Sequence, residues 1–253
     1  MRAYELMKET LSRKLYIYIV HLCWFVTYGL LFTLRVQAAE HFHRILFMWG
    51  GFFLPLVLSA GIFGDDISSG RICVLATKPF WLGKLYIYRL LGLSVQGAVH
   101  FVITGGILLI VHGITGLGYI DDLYSWLFSS WLLFNTWAAI STALSVVVKR
   151  AYNFIFLLAA LLFFGLLNST LGWNNPDDSM TKIISAFVKY VCPPFKLLTR
   201  MVEGEYSKYS LIVGKYSSIK AVACVVHTFV LTVSYSIVGI LLLSRRQFTC
   251  SRE

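Results

Sequence analysis

Three histidines, His21, His100 and His227, stand in the most apolar parts of the chain. Imidazole there could ligate haem or a metal ion. If those apolar stretches are helices crossing a bilayer, the rise of about 1.5 Å per residue puts the three rings at different depths. A bis-histidine site is therefore not expected, and isolated polar residues at helix contacts are. The acidic pairs Asp65-Asp66, Asp121-Asp122 and Asp177-Asp178 fall at the edges of apolar stretches, never inside one. An acid within the membrane would mark a proton or cation relay. The patterns GxxxxGK[ST], GxSxG, HExxH and GxGxxG do not occur, so no P-loop, nucleophile elbow, zinc-protease helix or dinucleotide fingerprint is written here. Cysteines 23, 73, 192, 224 and 250 are scattered without a CxxC, which predicts neither a disulfide framework nor a zinc site. A membrane enzyme would need paired acids, a histidine cluster or an activated serine in the bilayer, and no such constellation is present. No catalytic residue, metal ligand or cofactor is expected on this chain. The polar side chains that remain inside apolar stretches include Gln96, His100, Asn135, Asn153 and Asn168. The first four are candidates for lining a substrate path; residues of this kind also bridge neighbouring helices.

The elements that hold these residues follow from the distribution of charge. Of 253 residues 58% are hydrophobic, 16% aromatic and 13% charged, and the mean hydropathy is +0.73. Six runs, 15–34, 45–64, 90–120, 123–148, 151–176 and 221–244, contain no Asp, Glu, Lys or Arg. All 34 charges lie in the remaining residues. A helix of about 20 apolar residues crosses a bilayer core of about 30 Å, so the sequence predicts an all-α polytopic membrane protein. Six transmembrane helices are placed at about 15–34, 45–63, 90–111, 123–148, 151–171 and 221–243, in a single domain over 1–253. A membrane β-barrel would show short alternating segments instead. Pro55 should kink the second span.

The net charge of +10 reads as membrane orientation, not nucleic-acid binding. With both termini inside, the inner segments 1–14, 65–89, 149–150 and 245–253 hold 13 of the 22 Lys and Arg. The two short outer loops hold Arg35 and Arg44 and none, and the long outer segment holds seven. This bias predicts an N-in, C-in topology. Residues 1–14 place Ala3, Tyr4, Met7 and Leu11 on one helical face and Arg2, Glu5, Lys8 and Glu9 mainly opposite. That pattern suits a helix along the inner leaflet or a solvated extension of the first span. In the outer segment, 172–220, Asn174-Asn175-Pro176-Asp177 is turn chemistry. Ile183, Ile184, Phe187, Val188 and Val191 then share a helical face, and Pro193-Pro194 breaks it. The result is either a helix-break-helix at the outer interface or an ordinary amphipathic loop helix.

Residues 64–92 carry one specific pattern. Asp66 and Gly70 precede an apolar stretch, Lys78-Pro79 follows, and Arg89 opens the third span about ten positions on. This resembles the loop after the second span of ABC-2 type permeases, the membrane subunits of ABC exporters. The six spans, the N-terminal interfacial helix and the Pro-Pro-Phe before the last span match the same family. The specific motif covers about 30 residues, and it departs from the family at Leu82, where an arginine is common. The resemblance implies that Asp65, Asp66, Gly70, Lys78, Pro79 and Arg89 form a coupling segment docking on an ATP-binding cassette subunit. It implies an outer gate at Phe187, Pro193, Pro194 and Phe195. It implies a permease homodimer or heterodimer in the plasma membrane, with ATP and Mg on the partner subunit and membrane lipid around. Within the loop, Gly70 would allow a sharp backbone change. Ile72, Val74 and Leu75 would form a short helix that packs on a partner. Lys84 and Arg89 would snorkel to the inner headgroups. A non-transporting membrane scaffold or assembly factor shares the topology and needs no ATPase.

Overall fold

The computed structural model describes residues 50–76, 81–115, 123–170 and 218–246, with Cys23, Val26, Thr27, Leu30 and Ile183 as isolated positions. The expected N-terminal helix, most of the first span, and nearly all of the outer segment with its Phe187, Pro193, Pro194 and Phe195 lie outside these residues, as do Lys78 and Pro79. Among the described residues every element is helical and no strand occurs. Residues 50–59 form α1. Gly64–Ser68 (α2) and Arg71–Ala76 (α3) are short. Leu82–Thr115 (α4), Leu123–Ser145 (α5), Arg150–Thr170 (α6) and Ser218–Arg245 (α7) are long.

Among the described residues four stretches are long and apolar enough to cross a membrane: Gly50–Ser68, Leu82–Ile114, Leu127–Ser145 and Val225–Arg245. Arg150–Ala160 is a shorter apolar helix. Helix α4 has 34 residues, a length of about 50 Å that exceeds a bilayer core of about 30 Å. It starts at Leu82, eight residues before the expected start of the third span, so its first two turns fall within the segment expected to be a cytoplasmic loop. Helix α1 runs through Pro55 and stops at Ser59, where a turn over 60–63 begins. The Ser59 hydroxyl donates to the Pro55 carbonyl.

Helix α5 is the centre of the described bundle and packs most extensively against α7, then α4. In lipid no hydrophobic force pulls spans together, so close backbone approach and interhelical hydrogen bonds must do so. Both are present. A methyl group at Gly97 of α4 would lie 2.6 Å from the Phe134 ring of α5, and Gly239 of α7 leaves room for the Tyr86 ring of α4. The Thr136 and Thr232 hydroxyls join α5 to α7 at 3.0 Å, and the Trp131 indole N–H donates to the Ser94 carbonyl of α4 at 3.1 Å. One core cluster unites Phe63, Ile72, Tyr86, Phe101, Phe134 and Leu243. A smaller one, around Leu56, Leu133, Trp137 and Leu157, joins α1, α5 and α6.

Residues 61–71, the start of α4, the α5–α6 connection and the end of α7 share one end of the bundle. Phe63 stacks on Tyr86 with centroids 5.4 Å apart, and a Cβ on Gly64 would sit 3.3 Å from the Val148 carbonyl oxygen. These are the segments that the charge pattern assigns to one side of the membrane. The close approach at Gly97 predicts that Gly97→Leu lowers stability by about 1–3 kcal/mol through overpacking against Phe134. Gly106, where an added methyl would meet nothing within 4 Å, should accept alanine without loss. Thermal unfolding of both variants in the same detergent checks the pair.

Candidate functional site

Among the described residues, the stretch from Gly64 to Arg89 is where charge enters the protein interior. Helix α2 begins after the 60–63 turn, and its two acids diverge because successive helical residues point about 100° apart. Asp66 turns inward and is 2% exposed. Asp65 turns outward, with its side chain 49% exposed. Two turns into α4, Arg89 is fully buried and its Nη2 donates to Asp66 Oδ2 at 3.0 Å. Arg71 Nη1, at the start of α3, lies 3.9 Å from the other carboxylate oxygen. Asp66 is therefore held between two guanidiniums, one buried and one at the surface. Arg150 Nη1, at the start of α6, lies 3.8 Å from Asp65 Oδ2, with both side chains about half exposed.

Gly70 lies between α2 and α3 with φ +67. That is the left-handed region, where a side chain costs roughly 1–2 kcal/mol, and it is the sharp backbone change expected of this glycine. The turn is closed by the Gly70 amide on the Ile67 carbonyl at 3.2 Å and the Cys73 amide on the Gly70 carbonyl at 3.0 Å. Residues 68–70 are exposed and form the tip.

Two expectations for this segment change. Arg89 does not snorkel to headgroups: its guanidinium is turned into the bundle because a buried carboxylate waits there. Ile72 does not face a partner, being 1% exposed and packed in the chain's own core. Lys84, by contrast, is exposed as expected. Cys73 is disulfide-bonded, which the scattered cysteines did not announce.

The four candidates for a substrate path lie on three helices, α4, α5 and α6. Asn153 is fully buried on α6, and its amide donates to the Ala60 carbonyl at 2.9 Å and the Ser141 carbonyl at 3.0 Å. It is a cross-link between α6, α5 and the turn after α1. Asn135 donates back to the Trp131 carbonyl of its own helix at 2.7 Å. Gln96 and His100 sit one turn apart on α4. Gln96 is buried, with no partner for its Oε1 among the described residues, and His100 packs edge-on to Phe101. Among the described residues no group of three or more His, Cys, Asp or Glu could hold a metal ion. Sequence reasoning missed Arg71 and Arg150 as partners of the acidic pair. The helical divergence of Asp65 and Asp66 was the available signal, and nothing in the sequence named the partners.

Comparison of the chain with family models, with curated proteins and with solved structures finds no match. The site is thus read from its own geometry.

Removing one member of a buried ion pair costs about 3–5 kcal/mol, because the other charge is left uncompensated. Asp66→Asn and Arg89→Met should each destabilise by that order, while the double variant recovers much of the loss. Asp65→Asn, at an exposed pair, should cost no more than about 1 kcal/mol. A double-mutant cycle by thermal unfolding checks this; additive losses at Asp66 and Arg89 would show that they do not act as a pair. Disulfides rarely persist in a reducing cytosol. If the segment faces the cytosol, the Cys73 disulfide should be reduced in the cell, and Cys73 alkylated when whole cells are denatured in alkylating reagent without reductant, as read by mass spectrometry. A fully protected Cys73 would put the segment on the other side.

Proposed function

We propose that the chain is the permease subunit of an ABC-type exporter, moving a substrate by alternating access driven by a separate ATP-binding subunit. In this reading it spans the plasma membrane six times, N-in and C-in, and pairs with a second permease copy or a homologue. ATP and Mg belong to the partner subunit.

The observation that carries the reading is the mechanical build of the coupling segment. An exposed tip, Ser68 to Gly70, is rooted through Asp66 in a buried pair with Arg89, and Arg89 belongs to a helix of 34 residues. Force applied at the tip would reach α4 through a charge-assisted hydrogen bond and not through a slack loop. The same root touches α6 through Asp65 and Arg150. A subunit that closes on ATP would thereby bias the packing of two spans at once, which is what a two-state transporter needs. Trp81 and Lys84 are exposed beside the start of α4 and offer an aromatic and a cation for docking.

One observation favours the second reading, a scaffold or assembly factor without transport. Asn153 spends its amide donors on carbonyls of two other segments, which ties helices together, and Asn135 donates to a carbonyl of its own helix, so these bonds are not left for a substrate.

Gentle purification of the tagged chain from its own host, with mass spectrometry of what co-elutes, separates the two. The exporter reading expects a P-loop ATPase in stoichiometric amount. Ser69→Trp and Lys84→Glu, both at exposed positions, should weaken its retention by about tenfold, equivalent to about 1.4 kcal/mol, with unchanged thermal stability. An intact chain that elutes without any ATPase supports the scaffold; retention indifferent to both substitutions would leave the coupling assignment wrong.

A further inference from the structure

We infer that the groove between α1 and α6 binds an anionic phospholipid, with the phosphate on Arg150 and an acyl chain along Val57, Phe154 and Ile155. The inference stands whether the chain transports or scaffolds.

The groove has a volume of about 530 Å³ and is lined by Val57, Ala60, Arg150, Ala151, Phe154 and Ile155. That volume lies within the roughly 300–1,000 Å³ typical of small-molecule sites. The lining is one cation and otherwise apolar side chains, the chemistry of a phospholipid taken end to end. The order along the wall is also right. Arg150 begins α6 at the shared charged end of the bundle, and Ile155 lies five residues on, about 7 Å deeper at the helical rise. Ile155 and its neighbour Phe156 are each 60% exposed, so the groove opens on an apolar face.

Charge complementarity commits the occupant to an anion. Among the described residues this end carries Arg71, Lys84, Arg89, Lys149, Arg150, Arg245 and Arg246 against Asp65 and Asp66 alone. Asp66 is engaged by Arg89 at 3.0 Å. Among the described residues Asp65 is the only acid facing the groove cation, and its 3.8 Å separation from Arg150 Nη1 is beyond hydrogen-bond length, with both groups half exposed. A guanidinium has five donors in a fork that matches phosphate oxygens, so Arg150 can keep Asp65 near and still hold a phosphate. Lys149, next in sequence and exposed, adds to the local field. A cation over an apolar wall at a membrane edge also suits basic side chains that draw anionic lipid headgroups.

The test uses the full chain in gentle detergent, with phosphatidylglycerol and phosphatidylcholine of identical chains as probes and native mass spectrometry as the readout. The wild type should retain one phosphatidylglycerol in preference to phosphatidylcholine by about tenfold. Arg150→Gln should bring that ratio near parity. Ala151→Trp, which fills the groove from its exposed wall, should abolish retention of both lipids. Arg245→Gln, at the same end but outside the groove, should change neither. Equal loss with Arg245→Gln would mean diffuse attraction to a basic surface and overturn the site, as would a preference that survives Arg150→Gln. Efficient cross-linking of Ile155→Cys between two copies in phosphatidylglycerol bilayers would show that a second copy covers the groove, and would overturn it too.

Discussion

The buried pair of Asp66 and Arg89 constrains the described bundle more than any other contact. Taking a carboxylate and a guanidinium out of water costs several kcal/mol per ion, and only close geometry with each other offsets it. Each residue is therefore obliged to find the other. That obligation fixes where α2 lies against α4 and the path of the turn at 60–63. It also orients the left-handed glycine that sends the chain back into α3. Phe63 stacked on Tyr86 and Ile72 in the core add apolar packing between the same segments. The pair adds little net stability over a hydrophobic substitute. What it adds is a single arrangement, since any slip of α2 along α4 would strand two charges.

Around α5 the chain uses a different means to the same end. Spans in lipid gain nothing by hiding apolar surface from one another, so contact must come from backbone proximity and shared hydrogen bonds. Gly97 and Gly239 supply the proximity; Thr136 with Thr232, Trp131 with Ser94, and Asn153 with two carbonyls supply the bonds. The bundle is thus held by a few polar cross-links at distinct levels.

The membrane-edge charges divide between these tasks. Asp66 and Arg89 serve the interior. Asp65 and Arg150 remain at the surface, joined weakly enough that each can meet a second partner. The same short stretch of sequence therefore provides both a rigid root for the exposed tip and a cation for an anionic headgroup. Docking and lipid contact would then act on two different helices, α4 and α6, through adjacent residues of one short helix.

The sequence alone determined that the described residues are helical and where most of their helices lie. A span at 123–148 corresponds to Leu123–Ser145, one at 151–171 to Arg150–Thr170, and one at 221–243 to Ser218–Arg245. This was legible because a bilayer-length apolar run is a local property, bounded by the nearest charges. The need for a glycine at position 70 was legible for the same reason. Only the tertiary structure decided which acid of Asp65-Asp66 is buried, that Arg89 points inward, and that Asn153 is a cross-link. Those outcomes depend on partners 23, 93 or 12 residues away in the chain. A side chain at a membrane edge is equally able to reach water or the interior. Which it does is set by whether an opposite charge or a free carbonyl has been folded within about 3 Å of it, and no spacing along the sequence records that.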